Sequence, residues 1–274
     1  MKTALITLSV EGMLLADRLL NAIPEACLYL HDSIDRGVIN RSKPDAKVIS
    51  FAGIVDLTHN IFSEYEGLIY FAPCGVVVRA LAQNIKSKLT DPAVVAVDIG
   101  GRFAISLLSG HEGGANELAL MTANVLGAEP VISTSTEAVK SIIVGVGCRK
   151  GVEARRIIDA IRTACRLAKV AETDIRLLAS ADIKSNETGV IEAARELGLP
   201  LRFIASEEIR RSNLPFTRSE FVKEKVDLPA VAEPAALLSG RRTSLILPKT
   251  SFNGITVAIA RESFLWSDLV PETP

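Results

Sequence analysis

The chain has 274 residues, of which 48% are hydrophobic, and its mean hydropathy is +0.29. This length and composition can supply buried cores for two modest domains and exclude wholesale disorder. The charges nearly balance, with 31 basic and 32 acidic side chains and a net charge of −1, so the chain lacks the basic excess typical of a dedicated nucleic-acid-binding protein.

The first half of the chain alternates apolar runs, which predict strands, with amphipathic stretches, which predict helices. Predicted strands cover residues 3–8, 27–30, 47–51, 67–72, 93–98, 103–108 and 130–134, and predicted helices cover residues 11–22, 54–62, 76–85 and 112–126. A glycine turn joins the strands at 93–98 and 103–108, which predicts an antiparallel hairpin added to a parallel sheet. The polar segment 32–46 is expected to form an exposed loop.

The second half repeats this alternation. Predicted strands cover residues 142–147, 175–179, 201–205, 243–248 and 255–261, and predicted helices cover residues 152–168, 190–197 and 230–238. Ser206 is expected to cap a further helix, and Pro234 to break the helix at 230–238. The charged segment 215–228 predicts a loop.

These elements predict an α/β fold of two domains, each a mainly parallel sheet with flanking helices and a hairpin addition. The amino-terminal domain is placed at residues 1–138, the carboxy-terminal domain at 139–264, and a frayed tail at 265–274.

The cysteines are far apart in sequence, and no two form a CxxC pair; they are Cys27, Cys74, Cys148 and Cys165. This spacing predicts neither a disulfide framework nor a zinc site, so we expect reduced thiols and a cytoplasmic protein. Acidic residues interrupt the apolar amino terminus, and no apolar run reaches the roughly 18 residues of a membrane helix, so neither a signal peptide nor a membrane span is expected.

The segment 109–117 (SGHEGGANE) is the strongest candidate site. It joins a predicted strand to a predicted helix and contains three glycines, one of the three histidines and two glutamates. Such a turn presents free backbone N–H groups at the end of a strand, where ligands bind in α/β folds. A glycine-rich turn can equally serve backbone geometry alone, so the residues leave both interpretations open. His31 and His59 have no convergent polar neighbours in the sequence and are interpreted as structural.

Two further turns are candidates. Arg79 is placed in the first turn of the helix at 76–85, beside Gly75, and is expected at the same sheet edge as the 110–116 turn. A cation at the start of a helix interacts unfavourably with the helix dipole, which suggests that Arg79 is there to bind a ligand. An ordinary surface arginine is the alternative interpretation. Gly145, Gly147 and Gly151 have spacing one residue too long for a dinucleotide fingerprint, which excludes a nicotinamide or flavin site.

Several long motifs that follow one another along the chain resemble the CbiG family, the cobalt-precorrin-5A hydrolases of anaerobic cobalamin biosynthesis. The motifs are residues 74–79 (CGVVVR), 90–98 (TDPAVVAVD), 101–117 (GRFAISLLSGHEGGANE), 144–149 (VGVGCR), 178–184 (LASADIK) and 231–236 (VAEPAA). The resemblance runs from about residue 67 to 261. The stretch between the two predicted domains is too short for a separate middle domain, and a fused methyltransferase, as in some relatives, is not expected.

The resemblance implies hydrolysis of the δ-lactone of cobalt-precorrin-5A to cobalt-precorrin-5B, with release of acetaldehyde. The cobalt would arrive inside the substrate, so no cofactor is expected. The implied partners are the corrinoid substrate, neighbouring pathway enzymes in transient contact and a second copy in a homodimer, with no nucleic acid or membrane. The alternatives are a non-catalytic carrier of a corrinoid intermediate and, less in keeping with the motifs, a nucleotide-binding α/β protein.

Lactone hydrolysis requires a base, a donor for the developing oxyanion and groups that bind the substrate's carboxylates. We assign His111 as the general acid or base, because an imidazole titrates near neutral pH, with Glu112 or Glu117 orienting it. The backbone N–H groups of residues 113–115 are the predicted oxyanion donors. The full set of predicted substrate-binding residues is Gly75, Arg79, Arg102, Gly110, Gly113, Gly114, Asn116, Arg149 and Lys150.

Overall fold

The computed structural model describes residues 1–23, 25–35, 47–214, 228 and 230–264. The chain divides into two compact units, Met1–Ser135 and Thr136–Pro274. Most of the predicted loops at 32–46 and 215–228, and the whole predicted tail at 265–274, lie outside the described residues. Within the described ranges, no helix is long and apolar enough to cross a membrane.

The first unit is built on one seven-stranded sheet with the strand order β3-β2-β1-β4-β5-β6-β7. Its strands are β1 (Thr3–Thr7), β2 (Cys27–His31), β3 (Val48–Phe51), β4 (Gly67–Phe71), β5 (Ala93–Val97), β6 (Phe103–Leu108) and β7 (Glu129–Val131). Its helices are α1 (Val10–Ala22), α2 (Ile54–Ile61), α3 (Cys74–Leu81) and α4 (Ala115–Leu126), and α5 (Ser135–Ala138) follows in the chain.

Helices cover both faces of this sheet. Buried side chains of α1 and α4 pack on one face, around Leu5 and Ile69. Buried side chains of α2 and α3 pack on the other face, around Ile6 and Tyr70. The central strands β1, β4 and β5 are buried along their whole length, as expected for a parallel sheet covered on both sides.

One antiparallel pair reverses the strand direction within this sheet. Strand β6 runs antiparallel to β5, with Val97 opposite Ala104 and Val94 opposite Leu108, whereas the other neighbouring strands run parallel. The predicted hairpin is therefore confirmed. Its consequence is that β6 ends at the edge of the sheet where β4 and β5 begin.

The second unit contains a five-stranded sheet with the strand order β10-β9-β8-β12-β11. Its strands are β8 (Ile142–Cys148), β9 (Ile175–Ala181), β10 (Leu201–Ile204), β11 (Thr243–Phe252) and β12 (Ile255–Glu262). Its helices are α6 (Ala154–Ala168), α7 (Thr188–Glu196), α8 (Ser206–Arg211) and α9 (Ala232–Leu238). The parallel strands β8, β9 and β10 form one side, and the antiparallel hairpin β11–β12 completes the sheet beside β8. The predicted α/β class is confirmed in both units.

Two helix predictions in this unit were wrong. Pro234 lies in the first turn of an unbroken α9, where proline is tolerated because the missing N–H would have no partner within the helix. Ser206 does not cap α8; it is the first residue of the helix, and its hydroxyl bonds to the Asp182 carboxylate.

Gly145 and Gly147 allow α9 to lie directly on β8. A Cβ atom at Gly145 would stand 1.9 Å from the carbonyl oxygen of Ala232, and one at Gly147 would stand 3.3 Å from Cβ of Val231. These glycines therefore serve close helix–sheet packing, which agrees with the exclusion of a dinucleotide site.

Candidate active site

The turn between β6 and α4 is closed by its own backbone. The carbonyl oxygen of Ser109 accepts hydrogen bonds from the N–H groups of Gly113 (3.1 Å) and Ala115 (3.2 Å), and that of Gly110 accepts from Asn116 (2.9 Å). Ser109 adopts a left-handed conformation with φ of 57°. This conformation is unfavourable for a non-glycine residue and is frequent at functional sites.

These bonds correct one part of the predicted oxyanion site. The N–H groups of Gly113 and Ala115 already donate to Ser109, so they are not available to a ligand in this conformation. Of the three predicted donors, the N–H of Gly114 alone makes no such bond to another described residue. Gly114 has φ of 84° and precedes α4 without a side-chain cap.

Asn116 holds the turn to the neighbouring strands. Its side-chain oxygen accepts a hydrogen bond from Ser106 Oγ (2.8 Å), and its side-chain nitrogen donates to Thr134 Oγ1 (3.0 Å). The side chain is 7% exposed. Asn116 thus uses its side-chain oxygen and one N–H of its amide to hold the turn, which is a structural role, and its contact with substrate stays a prediction.

The glycines of the turn are required by close contacts. A Cβ atom at Gly110 would stand 2.6 Å from Thr134 Cγ2, and one at Gly113 would stand 2.5 Å from Cβ of Ser109. A larger residue at Gly110 would require the Thr134 side chain to move, and one at Gly113 would require the backbone of the turn itself to move.

His111 differs from the other two histidines. His31 bonds through both ring nitrogens, to Ser33 and to the Ala52 carbonyl, and His59 bonds to Asn84, in keeping with structural roles. His111 is exposed, and its ring has no hydrogen-bond partner among the described residues. It is therefore the histidine of this chain that is free to meet a ligand.

Neither predicted orienting carboxylate holds the His111 ring. Glu112 Oε1 pairs with Lys88 Nζ at 2.6 Å, and this bond lowers the pKa of the carboxyl below its ordinary value. Glu117 is exposed in the first turn of α4. Lys88, which sequence reasoning missed, thus neutralises the carboxylate next to His111.

Gly75, Arg79 and Arg102 lie at the opposite edge of the sheet. Gly75 and Arg79 follow the end of β4, and Arg102 follows the end of β5, whereas the 109–117 turn lies where these strands begin. The prediction that the two turns share an edge was therefore wrong, because β6 runs in the reverse direction.

Arg79 was also misplaced within its helix. Helix α3 begins at Cys74, so Arg79 lies in the last turn, where a cation is favourable to the helix dipole. Its guanidinium donates to the Gly75 carbonyl at 3.1 Å. The predicted conflict with the dipole, which suggested a ligand, is absent.

Arg102 forms an ion pair within the turn between β5 and β6. Its Nε lies 3.3 Å from Asp98 Oδ2. Partial burial alone would raise the pKa of Asp98, but the N–H groups of Phe103 and Arg102, the Arg102 guanidinium and the N–H of Gly100 outweigh it and lower the pKa.

In the second unit, Arg149 and Lys150 follow the end of β8 and are exposed. The N–H of Gly151 donates to Glu187 Oε1 at 2.6 Å, and the other oxygen of Glu187 lies 3.4 Å from Lys184 Nζ. Lys184 and Glu187 were not among the predicted site residues, because their burial depends on contacts between separate turns. The motif at 178–184 was the available signal.

Comparison with known proteins decides the family. The sequence profile described as "Cobalamin synthesis G N-terminal" matches residues 56–137, and that described as "Cobalamin synthesis G C-terminus" matches residues 142–260. The chain belongs to the CbiG family. This confirms the resemblance seen in the sequence motifs, and the two CbiG profiles together span most of the chain.

Curated proteins related to this CbiG chain include two cobalt-precorrin-5A hydrolases. The one from Salmonella typhimurium is 38% identical over 134 residues, which are 49% of this chain and 36% of the relative. The one from Priestia megaterium is 36% identical over 140 residues, 51% of this chain and 36% of the relative. The match thus spans little more than a third of these relatives. Protein CobE of Sinorhizobium sp. is 33% identical over 129 residues, 46% of this chain and 83% of CobE.

Solved structures from the same group also resemble it. A cobalamin biosynthesis protein G homologue from Sulfolobus solfataricus is 19% identical, with 95% of this chain and 97% of that chain covered and a TM-score of 0.37. CobE, a protein from the cobalamin biosynthetic pathway, is 26% identical, with 45% and 92% covered and a TM-score of 0.41.

Proposed function

We propose that this chain hydrolyses the δ-lactone of cobalt-precorrin-5A to give cobalt-precorrin-5B and acetaldehyde, with net uptake of one water molecule. The support is the family membership together with the named activity of the curated relatives. The observation that carries the site is His111, an exposed histidine whose ring has no hydrogen-bond partner among the described residues, in a turn that the protein otherwise closes with its own bonds.

In this proposal, the neutral His111 imidazole takes a proton from a water molecule as that water attacks the lactone carbonyl. The imidazolium then returns the proton to the ring oxygen that leaves the carbonyl. The freed hydroxyl next loses its proton to solvent and becomes an aldehyde carbonyl as the bond from its carbon to the macrocycle breaks. The electron pair of that bond stays on the macrocycle, and acetaldehyde leaves. The N–H of Gly114 is the remaining backbone donor for the oxyanion. Lys88 pairs with Glu112, so the carboxylate next to His111 already has a cationic partner.

The cobalt is part of the substrate in this scheme. Among the described residues, no three His, Cys, Asp or Glu side chains cluster as they would around a metal ion. The chain's residues act only on the organic ring, and we propose no separate cofactor.

The experiment is acetaldehyde release from cobalt-precorrin-5A under anaerobic conditions, followed through alcohol dehydrogenase and NADH. His111→Ala is expected to lower kcat by at least about 100-fold, the usual contribution of a general base. His59→Ala is the matched control, because His59 is also exposed and lies in the same unit. Wild-type turnover by His111→Ala would refute the assignment.

A second function, non-catalytic binding of a corrinoid intermediate, has its own support. The match to CobE covers 83% of a protein whose name states no reaction, and no carboxylate orients His111. Corrinoid binding without acetaldehyde release by the wild-type protein would favour this alternative.

A further inference from the structure

Three parallel strands of the second unit end at one edge. Cys148 ends β8, the short turn Asp182–Lys184 follows β9, and Ser206 follows β10. Ligands of open α/β sheets bind outside such carboxyl ends. Polar groups without a partner at this edge are therefore candidates for binding a ligand.

Lys184 is the unusual group at this edge. Its side chain is only 15% exposed, and its ammonium contacts one acceptor among the described residues, Glu187 Oε2, at the long distance of 3.4 Å. An ammonium group has three N–H donors, and burying it without partners is costly. Lys184 thus keeps unused donors in a place where water compensates only in part.

The carboxylates at this edge are committed elsewhere. Glu187 accepts the N–H of Gly151 through its other oxygen at 2.6 Å, and its side chain is 10% exposed. Asp182 accepts both the N–H and the hydroxyl of Ser206. Glu153, before α6, is exposed. The remaining charges are cations with spare donors.

The neighbouring groups fit an anionic ligand. Arg149 and Lys150 follow the end of β8 and precede Gly151, and both are exposed. Neither side chain forms an ion pair with another described residue. Burial raises the pKa of the Cys148 thiol, so this group stays protonated and adds no negative charge. Ile183 is 42% exposed next to Lys184 and offers an apolar contact.

We propose that Lys184 is the buried cation of a carboxylate-binding site at the ends of β8 and β9, with Glu187 as the positioning residue that ties Lys184 to the 149–151 turn. The ligand is an organic polycarboxylate with an apolar body. Its identification as a corrinoid carboxylate rests on the proposed function. Lys184 then forms a charge-assisted hydrogen bond with a ligand carboxylate, and Arg149 and Lys150 supply the outer, more hydrated contacts.

The test compares two probes on the full chain by isothermal titration calorimetry. Cobyrinic acid carries free carboxylates on a corrinoid ring, and its fully amidated counterpart carries none. Lys184→Gln is expected to raise the Kd of cobyrinic acid at least roughly tenfold, the usual loss for a charge-assisted bond. The fully amidated probe should bind more weakly to the wild type, and Lys184→Gln should change its Kd less than twofold. Lys184→Arg should restore most of the affinity for cobyrinic acid.

Lys140→Gln is the matched control. Lys140 pairs with Glu137 three residues away at 3.1 Å and is in the same unit, with its side chain 29% exposed, but it lies before β8 rather than after it. Its loss is expected to leave both Kd values unchanged. If Lys184→Gln fails to fold by circular dichroism, the double variant Lys184→Gln/Glu187→Gln leaves no buried charge and keeps an acceptor for Gly151.

The outcomes separate this site from the proposed reaction. Cobyrinic acid binding that depends on Lys184, without acetaldehyde release from cobalt-precorrin-5A, supports the site and refutes the hydrolase. Normal acetaldehyde release with an unchanged KM in Lys184→Gln supports the hydrolase and overturns the site. No binding of cobyrinic acid to the wild type, or equal Kd values for wild type and Lys184→Gln, also overturns it.

Discussion

The close approach of α9 to β8 predicts a large loss of stability on a very small substitution. In Gly145→Ala, the new methyl group would stand 1.9 Å from the Ala232 carbonyl oxygen and 2.9 Å from the backbone nitrogen of Ala236. Ordinary carbon–oxygen contacts are roughly 3.3 Å or longer. Both neighbours are backbone atoms, so relief requires the whole helix to move rather than one side chain to turn.

The cost can be estimated from what α9 buries. Overpacking costs about 1–3 kcal/mol, and here the displaced helix also loses contacts of Ala235, Ala236 and Leu237, which are at most 4% exposed. We expect Gly145→Ala to lower the free energy of unfolding by about 3 kcal/mol, less a few tenths recovered from the stiffer unfolded chain. At roughly 4 °C per kcal/mol for a unit of this size, the melting temperature should fall by about 10 °C.

Gly147→Ala is the matched variant in the same strand. Its methyl group would lie 3.3 Å from Cβ of Val231, a contact that needs a shift of only a few tenths of an ångström, so the expected loss is below about 1 kcal/mol. Differential scanning calorimetry of the full chain measures both variants. A melting temperature for Gly145→Ala within about 2 °C of wild type, or a larger loss for Gly147→Ala, would refute the packing argument.

The 109–117 turn gives three further predictions. Ser109→Gly should raise the free energy of unfolding by about 1 kcal/mol in urea titrations, because it relieves a positive φ and removes a buried hydroxyl without a partner; a loss of stability would contradict this. Asn116→Ala should lower the free energy of unfolding by about 1–3 kcal/mol, because the substitution leaves the Thr134 and Ser106 hydroxyls without their hydrogen bonds to Asn116. An unchanged free energy of unfolding would show that these bonds contribute nothing. Lys88→Gln should raise the pKa of Glu112 toward its ordinary 4.5, so the carboxylate protonates at a higher pH as acid is added; an unchanged titration by carboxyl NMR would exclude the ion pair in solution.

Much of the fold could be predicted from local pattern. The buried strands β4 and β5 are continuous apolar runs, and the glycine turn between β5 and β6 predicted their antiparallel pairing. That pairing already implies that the 109–117 turn lies opposite the ends of β4 and β5. The prediction that both turns share one edge was therefore inconsistent with the antiparallel pairing that the same sequence pattern indicates.

Other features depend on contacts between distant segments. The helix predicted at residues 76–85 begins two residues earlier, at Cys74 directly after Pro73, and ends at Leu81. The burial of Lys184 arises where two turns meet, and the φ of Ser109 follows from the closing bonds of its own turn. Neither the burial of Lys184 nor the φ of Ser109 can be predicted from residue type or spacing.

The reversed direction of β6 also decides which groups of the first unit can act together. Strand β5 separates the His111 turn from Arg102 by five residues, about 16 Å at the usual rise. Helices cover both faces of the sheet, so no ligand can lie along the strand between these edges. At the far edge, Arg79 donates to the Gly75 carbonyl and Arg102 pairs with Asp98, whereas the His111 ring has no hydrogen-bond partner among the described residues. The turn follows β6 and lies beside β7, which runs parallel to it, so it occupies the carboxyl ends of a parallel pair, where ligands bind in this class of fold. We therefore place the proposed chemistry of the first unit at the His111 edge, and substrate binding by Arg79 and Arg102 stays a prediction for the opposite edge.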